Sequence, residues 1–292
     1  MSVAFDLDPN VHGFTRIAYD DLDAAVFTER PLRARTLRSL RYMFDVERHT
    51  ICYLRDMLVT PTHKDASATA FLTRWAYENF WHSEAVASLL RAHGIAIDNE
   101  LISRMRASLG WRDDLSPVYR SVVGNVLGDD ITTVHMLWGA LNEWCAQLAY
   151  DRIGELDDHP ALLALLDRIR TQRVAHAAFY EREARERLAG SPRARRLARF
   201  ALTRVWGPLG SSIHPRQETA LVMSYLLGAP GVAPRVAAVD RQVAELPGLA
   251  GLRVVAEALG RYGVGPYAGR RPTLVERLRV APSPRRWRRA RL

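Results

Sequence analysis

Six polar or ionisable side chains in this chain of 292 residues fall where helical apolar stripes should run unbroken, and they come in four sets. Glu47 is in register with Leu40, Met43, Phe44, Ile51, Leu54 and Leu58. Asn79 and His82 share a face with Leu72, Trp75, Val86 and Leu89, and Glu143 lies between Met136, Gly139 and Ala140 on one side and Ala146 and Tyr150 on the other. Arg173 and His176 line up with Ile169, Phe179 and Tyr180. Burying a lone charge is costly, so an amphipathic helix keeps such residues on its apolar face only when they find partners. Brought together, two carboxylates, two imidazoles, an amide and a guanidinium can satisfy one another as a structural network. They can also do chemistry, because a buried Glu beside a His is where acid–base pKa values are tuned. Glu47–His82 and Glu143–His176 are the candidate proton-transfer pairs, with Arg173 holding a carboxylate or an enolate oxygen.

The elements that must position these residues are helices. Strand-type alternation is nearly absent, and apolar residues recur at three- and four-residue spacing down the chain, so the expected class is all-α. Long helices are expected over Pro31–Leu58, from Asp65 or Ser67 as N-cap to His93-Gly94, from Asp129 to about Leu156, and from His159-Pro160 to Leu188. A short helix is expected from Pro117 to about Leu127, and shorter ones over Arg193–Val205, Pro215–Leu227, Val232–Leu246 and Gly251–Tyr262. Four long helices with mostly short connections make a four-helix bundle. The expected organisation is an N-terminal extension (1–30), the bundle (31–192), C-terminal helices packed on it (193–269) and a basic tail (270–292).

The formal charge is +9, but residues 270–292 hold nine arginines against the single acid Glu276, which leaves the rest of the chain at +1. A nearly neutral body argues against a nucleic-acid-binding fold, and such a role would rest on the tail alone. Cys52 and Cys145 are too few for a disulfide framework and read as small core residues. With no signal pattern and no run of about 18 apolar residues, the expected location is cytoplasmic, without a transmembrane segment. The seven tryptophans read as core and pocket walls, Glu84, Glu181 and Glu183 as solvated surface, His214 as a loop residue, and Asp129-Asp130 as an N-cap.

Four stretches together resemble the acyl-carrier-protein desaturases and their actinobacterial relatives in the ferritin-like superfamily. Trp75-Ala76-Tyr77-Glu78-Asn79-Phe80-Trp81-His82 aligns without gaps to the second-helix motif of that family and keeps its Trp, first Glu and His. Val46-Glu47-Arg48-His49 and Trp138-Gly139-Ala140-Leu141-Asn142-Glu143-Trp144 resemble its single-Glu helices, and Gln172-Arg173-Val174-Ala175-His176, followed by Phe179-Tyr180, resembles its fourth-helix motif. The similarity covers roughly residues 30–260. It implies a ferritin-like four-helix bundle with added C-terminal helices, in which one Glu on each of two helices and a Glu-x-x-His on each of the other two hold a dinuclear metal centre.

Two departures bear on the mechanism that the resemblance implies. The carboxylate expected three residues before His82 is Asn79, and the one before His176 is Arg173. An amide is a poor ligand for a hard iron ion and a guanidinium cannot ligate at all. No cofactor is therefore expected; if iron or manganese binds, its ligands come from Glu47, Glu78, His82, Glu143 and His176, with His49 close by. Arg173 is expected to occupy the space of a metal and pair with Glu47 and Glu143. The expected function is metal-independent acid–base catalysis (a cyclisation, elimination or isomerisation) on a hydrophobic acyl or polyketide-like substrate, free or carried by an acyl carrier, in lipid or specialised metabolism. The alternatives are an oxygen-dependent desaturase or hydroxylase with an unorthodox metal site, and a non-catalytic partner of an active desaturase. Related bundles are commonly dimers, so the resemblance also implies a homodimer.

Overall fold

A computed structural model describes residues 15–98, 124 and 126–268. Among these the chain is helical throughout, with no strand: α1 (Val26–Glu29), α2 (Ala34–Arg48), α3 (Thr50–Leu58), α4 (Ala66–Ala92), α5 (Asp130–Leu156), α6 (Pro160–Gly190), α7 (Pro192–Phe200), α8 (Arg216–Leu227), α9 (Ala233–Ala244) and α10 (Val254–Arg261). The start and stop signals act as their chemistry requires. Asp65 accepts the Ala68 N–H at 2.9 Å and caps α4, and Gly94 ends that helix at φ +73°, a conformation that favours glycine. His159 and Ser191 cap α6 and α7 by accepting from Ala161 and Ala194, each with proline at the first helical position. Asp129, a cap by its place in the sequence, makes no side-chain capping bond; the neighbouring Asp130 carboxylate instead accepts from Ser191 Oγ at 3.0 Å.

The long helix expected over residues 31–58 is two helices. The hydrogen-bonded ladder is interrupted at His49, and Ile51 just beyond the break is half exposed, although its spacing from Glu47 puts it on the core face. The short helix expected between 117 and 127 falls almost wholly outside the described residues, as does the basic tail.

α2 packs on α4, α4 on α6, α6 on α5, and α5 on α2, so the four close a ring. The ends fix their directions. Leu32 N–H, just before α2, donates to His93 just after α4, and Arg33 N–H donates to Asp157 just after α5. At the other end, Thr62 before α4 meets Thr132 in the first turn of α5, and Ser191 after α6 meets Asp130. Neighbours in the ring are therefore antiparallel and the diagonal pair α4 and α5 are parallel. The chain leaves α4 at one end of the bundle and re-enters α5 at the other, a distance of about 40 Å for helices of this length. Helices α8 and α9 pack on α5, with α10 against α9, and the buried apolar residues of bundle and C-terminal helices form one continuous core. Among the described residues no single helix is long and apolar enough to cross a membrane.

Candidate functional site: a guanidinium between two carboxylates

All six residues singled out by spacing are buried: Glu47, Asn79, His82, Glu143, Arg173 and His176 are each at most 3% exposed. They converge from four helices on one centre, and Arg173 of α6 organises it. Its Nη1 donates to Glu143 Oε2 at 2.7 Å; its Nη2 donates to Glu47 Oε1 and, at 3.2 Å, to Asn79 Oδ1. The guanidinium carbon also lies 5.4 Å from the Tyr150 ring centroid. Each carboxylate has one further donor, Trp75 Nε1 to Glu143 Oε1 at 2.7 Å and Tyr150 OH to Glu47 Oε1 at 2.9 Å. Asn79 is held in place by its Nδ2 donating to the Trp75 carbonyl at 2.6 Å.

The histidines lie beside this triad with partners that helical spacing does not identify. His176 Nε2 meets Glu78 Oε2 at 2.5 Å, and Arg74 secures the other Glu78 oxygen at 2.8 Å. Glu143, the partner that spacing assigns to His176, lies 3.9 Å from its Nδ1. His82 is bonded through Nε2 to Gln172 Oε1 at 2.7 Å and not to Glu47, while Gln172 Nε2 donates to the Thr15 carbonyl at 2.9 Å. Because Gln172 faces His82 with its oxygen, His82 carries its proton on Nε2 and leaves a lone pair on Nδ1. The Nδ1 atoms of both histidines and Arg173 Nε are buried without a hydrogen-bond partner.

Electrostatics follow from this burial. Desolvation would lower the Arg173 pKa, but the Glu143 and Glu47 carboxylates hold it above the ordinary arginine value. Burial raises Glu47, with the Glu143 charge adding to it, against the opposing pull of Arg173 and Tyr150. His82 is pushed well below the usual imidazole range by burial, by Arg173 and by His176, so it is neutral. Burial would raise Glu78, but the hydrogen bonds from His176 and Arg74 prevail and keep it ionised.

A dinuclear metal centre does not fit this donor set. The two carboxylates that would face the metals are turned onto a guanidinium, one bridging position is an amide, and the remaining carboxylate, Glu78, is engaged by His176 and Arg74. Among the described residues no three His, Cys, Asp or Glu side chains converge in a way that would hold a metal ion. His49, an auxiliary candidate by sequence, is buried at the α2–α3 break with its ring edge-on to Tyr53 at 5.0 Å.

Sequence reasoning misses four participants: Trp75 and Tyr150, which read as apolar-face residues, and Arg74 and Gln172. The signal is present in part, since Trp75 is four residues before Asn79 and Tyr150 seven after Glu143, each one or two helical turns along the same face. Trp and Tyr carry a donor that needs a partner when buried. Three further residues depart from what their positions in the sequence suggest. Glu84 pairs with Arg48, Glu183 likewise pairs with Arg187, and His214 is partly buried and stacked on Tyr42 at 4.1 Å, although it does sit in a loop. Cys52 and Cys145 are buried and outside any disulfide, as their apolar surroundings predict. A cavity of about 220 Å³ under Tyr19, Leu22 and Phe27, and a void of about 10 Å³ beside Cys145 and Trp206, both lie away from the triad and are lined by none of its residues. Compared with protein-family models, curated proteins and solved structures, the chain matches none of them.

Proposed function

We propose that this chain is a ferritin-like protein of desaturase descent whose internal site has passed from metal binding to self-sufficient ion pairing, and that it acts as a non-catalytic partner of catalytic members of that family. The observation that carries this reading is Arg173 bridging Glu47 and Glu143. A fixed guanidinium there supplies the positive charge that metal ions would supply, in a geometry that satisfies both carboxylates. The topology supports the ferritin-like part: the consecutive helices α4 and α5 are the parallel diagonal pair, which takes a long crossover between them and sets such bundles apart from up-down-up-down ones. Burial supports the non-catalytic part, because every member of the triad is shielded and each carboxylate is held by the guanidinium and one further donor.

The test is metal content. Protein equilibrated anaerobically with iron(II) or manganese(II) and then desalted should retain far less than one ion per chain. The double variant Asn79→Glu/Arg173→Glu, which restores the two missing carboxylates, should retain metal and gain thermal stability with it. Tight stoichiometric iron in the unaltered chain, with oxygen consumed in the presence of a reductant, would overturn the reading in favour of an oxygen-dependent desaturase or hydroxylase.

A second reading has its own observation. The Glu78–His176 pair at 2.5 Å, together with the unpartnered Nδ1 atoms of His82 and His176, is an arrangement able to move a proton. On this reading the chain catalyses a cyclisation, elimination or isomerisation of a hydrophobic acyl or polyketide-like substrate, with Arg173 holding the developing oxyanion. Turnover that survives in Glu78→Gln and His176→Asn would exclude it.

A further inference from the structure

The surface carries a second feature that the internal site does not use. Helix α7 and the π-helical turn that continues it (Ala201–Val205) read Pro-Arg-Ala-Arg-Arg-Leu-Ala-Arg-Phe-Ala-Leu-Thr-Arg-Val: five arginines and no acid. Ala194, Ala198, Ala201 and Leu202 are buried against the bundle. The opposite face presents Arg193, Arg196, Phe200 and Arg204, spaced three, four and four residues apart and all exposed, so they form one row about 16 Å long. Phe200 is 59% exposed, and Arg193 reaches the carbonyl of Val126, itself 75% exposed, so two exposed apolar residues accompany the arginines.

Many arginines elsewhere on the surface are paired with carboxylates, although Arg35 and Arg241, which are scattered singly, are also exposed without an ion pair among the described residues. Arg38, Arg168, Arg185 and Arg235 each hold a carboxylate. Among the described residues neither Arg196 nor Arg204 has an ion pair, and Arg193 reaches only Asp130, at 3.5 Å. Arg199, also exposed, turns away and donates to the Gly248 and Ala250 carbonyls.

We propose that the α7 row is a docking surface for an anionic lipid bilayer. Guanidiniums pair with phosphate and carboxylate headgroups, while Phe200 and Val126 enter the boundary just beneath them. A nucleic-acid backbone satisfies the arginines but offers the aliphatic Val126 nothing. The bilayer surface is the partner whose charge and apolar layer both match.

The test uses the full chain and phosphatidylcholine vesicles with and without phosphatidylserine. The unaltered protein should float with phosphatidylserine vesicles and not with pure phosphatidylcholine. Arg196→Glu/Arg204→Glu, which keeps the whole C-terminal tail, should weaken that partition at least about thirtyfold, and Phe200→Ser should weaken it further. These side chains are exposed, so helical circular dichroism and the thermal midpoint should stay unchanged. As an independent readout, Phe200→Cys labelled with an environment-sensitive dye should shift to the blue on phosphatidylserine vesicles, Cys52 and Cys145 being buried. Equal vesicle binding by wild type and the charge-reversed variant, no binding by either, or α7-dependent binding of duplex DNA in place of vesicles would each overturn the proposal.

Discussion

Arg173 lies 2.7 Å from Glu143, two residues on neighbouring antiparallel helices that helical periodicity places on core faces and that the fold joins as an ion pair at 3–4% side-chain exposure. The same guanidinium engages Glu47, so one cation faces two carboxylates. Such a centre costs desolvation on every member, and a buried ion network is therefore weak evidence of stabilisation while its interruption is severe.

Arg173→Met should accordingly destabilise the fold by about 3–5 kcal/mol, because two carboxylates would be left buried with no cation. The loss should shrink on acidification as they take up protons. Glu47→Gln/Arg173→Met/Glu143→Gln, which removes the charges together, should recover most of it. Urea denaturation at neutral and mildly acidic pH measures both effects, and a triple variant no more stable than Arg173→Met would mean that charge balance is not what Arg173 provides.

How much of this centre is legible in the sequence depends on what periodicity reports. It gives the face of a helix on which a residue lies, so Glu47, Asn79, His82, Glu143, Arg173 and His176 all fall on core faces. It does not give the axial offset between helices, so it pairs them wrongly: Glu78, four residues before His82, reaches His176, and Gln172, one residue before Arg173, reaches His82. The break at His49 carries no proline or glycine to announce it, and periodicity misplaces Ile51 as a result. His214 looks like an ordinary loop residue because Tyr42, the ring that stacks on it and partly covers it, is distant in sequence.

Gly139 offers a test of packing on the same centre. A Cβ built there falls 2.2–2.5 Å from ring carbons of Tyr180, which is fully buried and stands edge-on to Trp75 at a centroid distance of 5.8 Å. Gly139→Ala should therefore displace Tyr180 and disturb Trp75, the donor to Glu143, at a cost of about 1–3 kcal/mol. It should also alter the near-ultraviolet circular dichroism of the aromatic residues. Gly190→Ala, near the end of α6 where a Cβ meets nothing within 4 Å, is the control and should leave stability nearly unchanged. Equal thermal midpoints for the two variants would show that Tyr180 yields without cost.

The last prediction concerns a second, largely covered pair, outside the triad. His214 Nε2 lies 3.7 Å from Asp45 Oδ2. Burial pushes His214 down to about 4, against the Tyr42 backbone and Glu218, with Arg41 and His49 assisting. Burial pushes Asp45 up to about 6, against the charge and hydrogen bond of Arg41. Neither shift depends on the other member of the pair, so each should survive its neighbour's removal. Between about pH 4 and 6 the unfolded state carries an extra proton on His214 and the folded state an extra proton on Asp45. The two contributions to the pH slope therefore cancel. Asp45→Asn should expose the histidine alone, whose folded-state value is depressed: relative to wild type, stability falls as pH drops from about 6 to about 4, by about 3 kcal/mol in total. His214→Asn should expose the aspartate alone, whose folded-state value is raised, so that relative stability falls as pH rises from about 4 to about 6.5 by a similar amount. Thermal midpoints of the three proteins across this range decide the matter, since parallel curves would mean that neither group keeps its displaced value in the folded chain.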